Sequence, residues 1–115
     1  MKFWQSKQPD ADGFYETGVT AVSLQTRPMQ TVKINGQKIV LARYEEKLVA
    51  FDSSCPHAAA DLSKGDLHRW KLTCPDHSYC FDVRNGRVLW PEDEVVRLKF
   101  FEIKIADGLV KLKLN

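Results

Sequence analysis

The run "TVKINGQKIVLARY", from Thr31 to Tyr44, sets two β-rich segments around the dipeptide Asn35-Gly36. Branched and aromatic side chains favour a pleated backbone, and Asn-Gly accepts the positive φ values that a type I′ turn demands. The stretch therefore reads as a tight antiparallel hairpin. The chain then continues through Glu45 and Glu46 into "KLVAFD" (47–52), whose imperfect alternation predicts another strand, buried over most of its length.

The carboxy-terminal end repeats the device with "FFEIKIA" (100–106), Asp107-Gly108 and "LVKLKLN" (109–115). Alternation there points Phe101, Ile103 and Ile105 to one face and Glu102 and Lys104 to the other. Lys111 and Lys113 are expected on the outer face of the last strand, where charge discourages edge-to-edge association. Between the hairpins, "RWKLTC" (69–74) and "YCFDV" (79–83) form a possible third strand pair, followed by a turn at Asn85-Gly86 and a short strand "RVLW" (87–90). No window sustains a helical period with caps. The expected fold class is all-β, a small sandwich or barrel of antiparallel strands.

"MKFWQSKQPDADG" is polar and rich in turn formers apart from Phe3 and Trp4, so residues 1–12 read as an extension in which one aromatic packs, with the domain at 13–115. A chain of 115 residues is one domain, able to bury about two-thirds of its unfolded surface without staples. Lys+Arg 17 against Asp+Glu 15 leaves +2, too little for the basic footprint of a nucleic-acid binder. Three cysteines and no leader-like amino terminus argue against a secreted disulfide framework. No apolar run approaches the roughly 18 to 20 residues that span a bilayer. The expectation is a soluble protein of a reducing, cytoplasmic compartment with no membrane partner.

Two loops interrupt this framework with reactive side chains. "CPH" (Cys55-Pro56-His57) follows the strand ending near Asp52, and "TCPDHSYC" (Thr73–Cys80) contains Cys74, Asp76, His77 and Cys80. Sixteen residues separate His57 from Cys74, enough for the chain to leave one loop and return beside it. Pro56 and Pro75 restrict φ and stiffen the adjoining backbone. A mixed thiolate and imidazole set can hold a tetrahedral zinc or an iron–sulfur cluster. Zinc arms usually separate their ligands by about two to four residues, and Cys-x-His is tighter.

With its one cysteine and one histidine per arm, the pattern resembles the Rieske signature, Cys-x-His and Cys-x-x-His separated by a connection long enough for a turn plus a strand. "LSKGDL" (62–67), "FDVRNG" (81–86) and Pro91 resemble the same family, and the likeness runs from about Gly13 to Leu114. It implies one [2Fe–2S] cluster per chain, held in a small subdomain of two loops on an antiparallel β-sandwich or barrel. Cys55 and Cys74 would bind the inner iron, and His57 and His77 the outer, solvent-facing one. Neutral imidazole in place of thiolate stabilises the reduced state, raising the potential to roughly −150 to +300 mV from about −400 mV for an all-cysteine cluster.

The chain departs from high-potential Rieske proteins in several places. The cysteines of their loop-joining disulfide would fall at Ala60 and Asp76, and their serine and tyrosine donors are replaced by Tyr79 and Phe81. Fewer donors to the cluster imply the low end of the range, as in ferredoxins of oxygenase systems. Ala59 and Ser78 stand where the family commonly has glycine. Cys80 falls outside the ligand pattern and reads as a small core or strand residue with a free thiol.

After His77 the sequence contains no histidine, so the second, mononuclear iron site of a Rieske oxygenase has no ligands here. The resemblance therefore implies a one-electron carrier with no catalytic residue and no small-molecule substrate, passing electrons from a reductase to an oxygenase component. A small subunit of a nitrite-reductase-like complex and a structural zinc module are the alternatives. Trp70, Phe81, Trp90 and Phe100 are expected in the core. His68 is expected to lie exposed on the connecting segment, and "PEDE" (91–94) to form a solvated loop or an acidic docking rim.

Overall fold

The computed structural model describes residues 8–56, 60–76 and 79–114. Its strands are β1 (Phe14–Thr20), β2 (Met29–Ile34), β3 (Gln37–Tyr44), β4 (Lys47–Asp52), β5 (Asp66–His68), β6 (Lys71–Thr73), β7 (Cys80–Asp82), β8 (Val88–Trp90), β9 (Phe100–Ala106) and β10 (Leu109–Lys113). One sheet has the order β1-β10-β9-β4-β3-β2, and a smaller one the order β5-β6-β7-β8. β1 and β2, the edges of the larger sheet, approach each other, so it curls nearly into a barrel. A single helical turn, α1 (Ser23–Thr26), plugs one opening with the buried Leu24. All-β architecture and antiparallel pairing are as the sequence predicts.

The hairpin signals act as their chemistry dictates. β2 and β3 pair from Met29↔Ala42 to Ile34↔Gln37, with Asn35 at φ 51° and Gly36 at φ 87° in the turn. Asp107 and Gly108 take φ 53° and 78° between β9 and β10. Both are the paired left-handed residues of a type I′ turn. Glu45-Glu46 makes a third tight turn, with Glu45 at φ 54°, a position that composition does not advertise because glutamate carries no preference for it.

β3 explains why "IVLA" is apolar without a break. Ile39 and Leu41 enter the core enclosed by the large sheet, with Ala50, Phe101, Val110 and Leu112. Val40, Ala42 and Tyr44 point the other way, into a second core shared with the small sheet, where Phe51, Leu62, Leu72, Phe81 and Val83 also lie. A strand between two cores must be apolar on both faces. Phe51 and Phe81 are fully buried in the second core, and each such side chain contributes roughly 2–3 kcal/mol. The small subdomain is thereby fixed to the outer face of β3 and β4.

Two expectations need correction. β10 is no edge strand: it lies between β1 and β9, because β1 adds to it from Phe14↔Lys113 to Thr20↔Leu109. Lys111 keeps to the outer face, alternating with the buried Val110 and Leu112, and there binds Asp10, whose carboxylate also accepts the Phe14 amide. The Lys111 ammonium and that amide hold the Asp10 carboxyl well below the usual range. Ile105, on the same face as Phe101 and Ile103, is exposed near the end of β9. Among the aromatics Phe81 is in the core and Trp70 and Phe100 pack half-buried against it, whereas Trp90 is 55% exposed. Trp90 ends the short edge strand β8, where no further strand covers it. Phe3 and Trp4 lie outside the described residues. No helix among the described residues is long and apolar enough to cross a membrane.

Candidate metal centre

The two loops carrying the cysteines are built alike. In the first, the amide of Cys55 donates to the carbonyl of Ala60 at 2.8 Å; in the second, that of Cys74 donates to the carbonyl of Tyr79 at 2.7 Å. Each cysteine thus opens a loop that closes on the residue five positions on, and a β pairing stands directly behind each closure: Ser54↔Asp61 for one and Thr73↔Cys80 for the other. Identical closures present the two side chains in equivalent ways. Cys55 is 2% exposed and Cys74 1% exposed, both inside the second core with Ala60 and Tyr79. None of the three cysteines is joined in a disulfide.

The loops also face each other. Cys55 and Ala60 of the first share one core cluster with Cys74 and Tyr79 of the second. Burial, the hydrogen-bonded Glu94 carboxylate and Cys55 push the Tyr79 phenol above its ordinary pKa. Two thiols brought from separate loops into one apolar cluster form a soft donor pair, suited to iron or zinc rather than to a hard cation. His57 and His77, the expected imidazole donors, lie outside the described residues, as do Ala59 and Ser78. Among the described residues no group of three or more metal-binding side chains converges. His68 is exposed on β5. Cys80 sits half-buried on β7 with its sulfur 3.6 Å from the Thr73 hydroxyl, a strand residue rather than a member of the thiol pair.

Residues outside the signature hold the loops in place. Asp61 caps the 3₁₀ turn Leu62–Lys64 by accepting the Ser63 amide, accepts the Ser63 hydroxyl as well, and pairs with Lys38 of β3 at 2.6 Å. Its role was missed because Lys38 is remote in sequence, although Asp followed two residues later by Ser is a recognisable capping pattern. Gly65 follows this turn, with the carbonyl of Thr73 so close that an added Cβ would lie 2.4 Å from it. Behind the second loop, Arg84 grips the buried Asp82 through two nitrogens and stacks 4.3 Å above Trp70. That guanidinium holds the Asp82 carboxyl below its ordinary pKa. The "FDVRNG" segment is thus a turn locked by its own side chains.

Asp61 gives the first loop a pH dependence. Lys38 and then the Ser63 hydroxyl lower its pKa from 3.8 to about 2. A carboxyl depressed in the folded state contributes stability that is complete above pH 4 and lost as pH falls through 2. Asp61→Ala is expected to cost about 1–2 kcal/mol at pH 7, for a cap and a partly exposed ion pair. Urea midpoints of wild type and variant should converge between pH 4 and pH 2; a gap that stays constant across that window would refute the assignment.

Comparison with known proteins agrees with this architecture. Residues 18–102 match the Rieske [2Fe-2S] domain family. The ferredoxin component of the naphthalene 1,2-dioxygenase/salicylate 5-hydroxylase systems of Ralstonia sp is 36% identical over 84 residues, covering 73% of this chain and 80% of the relative. The ferredoxin component of the naphthalene 1,2-dioxygenase system of Pseudomonas aeruginosa is 31% identical over 103 residues, covering 87% of this chain and 98% of the relative. Among solved structures, a chain from the complex of reduced oxygenase and oxidised ferredoxin in carbazole 1,9a-dioxygenase superposes with a TM-score of 0.78 at 24% identity, covering 88% of this chain and 93% of that one. This chain belongs to the Rieske [2Fe-2S] family. The family's cofactor is a [2Fe–2S] cluster, and the paired thiols fit it.

Proposed function

We propose that this protein is a one-electron carrier, a Rieske ferredoxin that takes an electron from a reductase and delivers it to an oxygenase component in the cytoplasm. The observation that carries the reading is the pair of buried thiols at equivalent places in two identically closed loops. The named relatives are ferredoxin components of dioxygenase systems, which supports the same role. The functional unit is the domain at 13–115, with 1–12 as its extension.

Cys55 and Cys74 would hold the inner iron from within the apolar core, and His57 and His77 would hold the outer one. When bound, the cluster accepts and releases one electron. The Cys55 and Cys74 amides are committed to closing their loops, and the surrounding Leu62, Leu72 and Phe81 exclude water from the sulfur side. Phe81 brings no hydroxyl to that side, and the Tyr79 phenol is engaged with Glu94. Few donors and a nearby carboxylate both disfavour the added electron, which places the potential low in the Rieske range.

Anaerobically purified protein should contain two irons and two acid-labile sulfides per chain, show a Rieske spin-resonance spectrum after dithionite reduction, and titrate below zero millivolts. Zinc without labile sulfide would show a structural metal module instead, and a potential well above zero would refute the argument from missing donors.

A further inference from the structure

Residues 88–96 form a strap whose construction the carrier reading leaves unexplained. Arg87↔Arg97 bridges its base. Along one side Trp90 pairs with Cys80, and Glu94 hydrogen-bonds to Tyr79. Both attachment points follow His77 by two and three residues, so the strap is fixed beside the second ligand loop.

Its surface combines two properties seldom found together. Leu89 (40%), Trp90 (55%) and Val95 (90%) are three of the five large apolar residues exposed among those described. Glu92, Asp93 and Glu94, all exposed, form its crest and carry −3, while the rest of the chain, with 17 basic and 12 acidic residues, carries +5. Arg87 and Arg97 pair at the base, where both line the cleft beside Glu94 and Val95 and Arg87 also lines the other. Asp93 adopts φ 68° and divides two clefts, of 310 Å³ toward Glu94 and Val95 and 380 Å³ toward Leu89 and Glu92.

Exposed apolar side chains ringed by charge mark an interaction site, and like-signed charge steers a partner of opposite sign. Carboxylates at the crest repel an anionic lipid surface. We infer that the strap is the docking face for redox-partner proteins that present basic side chains around an apolar centre, with Glu92 and Asp93 steering the encounter and Trp90 and Val95 holding it. This assignment rests on the carrier reading and adds which surface the partner meets and what that partner's surface must be.

Cytochrome c, whose haem edge is ringed by lysines, serves as the probe. In each encounter the cluster loses one electron and the haem iron passes from ferric to ferrous. The variants are Glu92→Lys, Val95→Ser and, as a control, Glu46→Lys. The Glu46 side chain is 92% exposed and lies in the turn between β3 and β4, and its reversal changes net charge by the same amount. Two readouts are taken: stopped-flow reduction by dithionite-reduced protein, and calorimetric affinity between the oxidised proteins.

Glu92→Lys is expected to lower rate and affinity at least tenfold at 10 mM ionic strength, with the gap falling below about twofold at 0.5 M, where charges are screened within a few ångströms. Glu46→Lys should change either by less than twofold. Val95→Ser should weaken affinity at least threefold at both ionic strengths, and reduction potentials should stay at the wild-type value. Equal losses in Glu92→Lys and Glu46→Lys would overturn the proposal, since net charge alone would then be at work; so would full affinity in Glu92→Lys and Val95→Ser. Protein lacking the oxidised-cluster absorption before mixing would overturn the carrier reading itself, and the two failures cannot be confused.

Discussion

Cys74→Ser is expected to yield a chain that keeps its β-sheet circular dichroism but contains less than a tenth of the wild-type iron and sulfide and shows no Rieske spin-resonance signal. Serine is nearly isosteric, so the side chain still fits a site that is 1% exposed. Its hydroxyl does not ionise near neutral pH and is a hard donor where iron in a sulfide cluster requires a soft one. The loop itself does not depend on the sulfur. Its closure runs from the Cys74 amide to the Tyr79 carbonyl, and Thr73↔Cys80 pairs behind it, all through backbone atoms.

The contrasting reading, in which Cys74 is only a small apolar core residue, predicts something different. Cys74→Ala would then cost about 1 kcal/mol for one lost buried group and leave metal content untouched. Cys55→Ser should behave like Cys74→Ser, because the two loops close identically. Cys80→Ser should retain full iron, since Cys80 lies outside the pair and its neighbour is the Thr73 hydroxyl. Iron and sulfide analysis of the three variants separates the readings. Normal content in Cys74→Ser, or equal loss in Cys80→Ser, would refute the ligand assignment.

What the sequence disclosed and what it concealed divide along sequence distance. The hairpins at Asn35-Gly36 and Asp107-Gly108 were legible because the turn dipeptide and its flanking strands are contiguous. The meeting of the Cys55 and Cys74 loops was legible because the chain between them is long enough to leave one loop and return beside it. β1 was not, because its partner β10 lies at the other end of the chain, with Phe14 opposite Lys113; no local signal marks it, and its absence from the reading made an interior strand look like an edge. Trp90 was placed inside on hydrophobicity, but exposure depends on whether a strand exists beyond β8. Lys38 and Asp61 are individually ordinary, and only the approach of β3 to the end of the first loop makes them an anchor.

Gly65 is the extreme case of such concealment. Its φ of −79° is open to any residue, so nothing in backbone preference requires glycine there. The requirement is spatial: an added Cβ would sit 2.4 Å from the Thr73 carbonyl oxygen and 3.1 Å from that of Leu62. Both obstacles are backbone atoms and cannot swing away as a side chain would. Thr73 immediately precedes Cys74, and Leu62 begins the turn that carries the chain out of the first loop, so Gly65→Ala drives the two cysteine loops apart. Its cost is expected near 3 kcal/mol, the upper part of the range for overpacking. Gly108→Ala provides the comparison. Gly108 has φ 78° and nothing within 4 Å of a Cβ, so that change incurs only backbone strain, about 1 kcal/mol. Backbone preference alone ranks the two the other way round. Urea denaturation should show Gly65→Ala to be the more destabilised variant, and it alone should lose cluster faster under chelator and broaden the spin-resonance lines. If Gly65→Ala proves as stable as Gly108→Ala with an unaltered spectrum, the loops do not depend on this contact for their spacing.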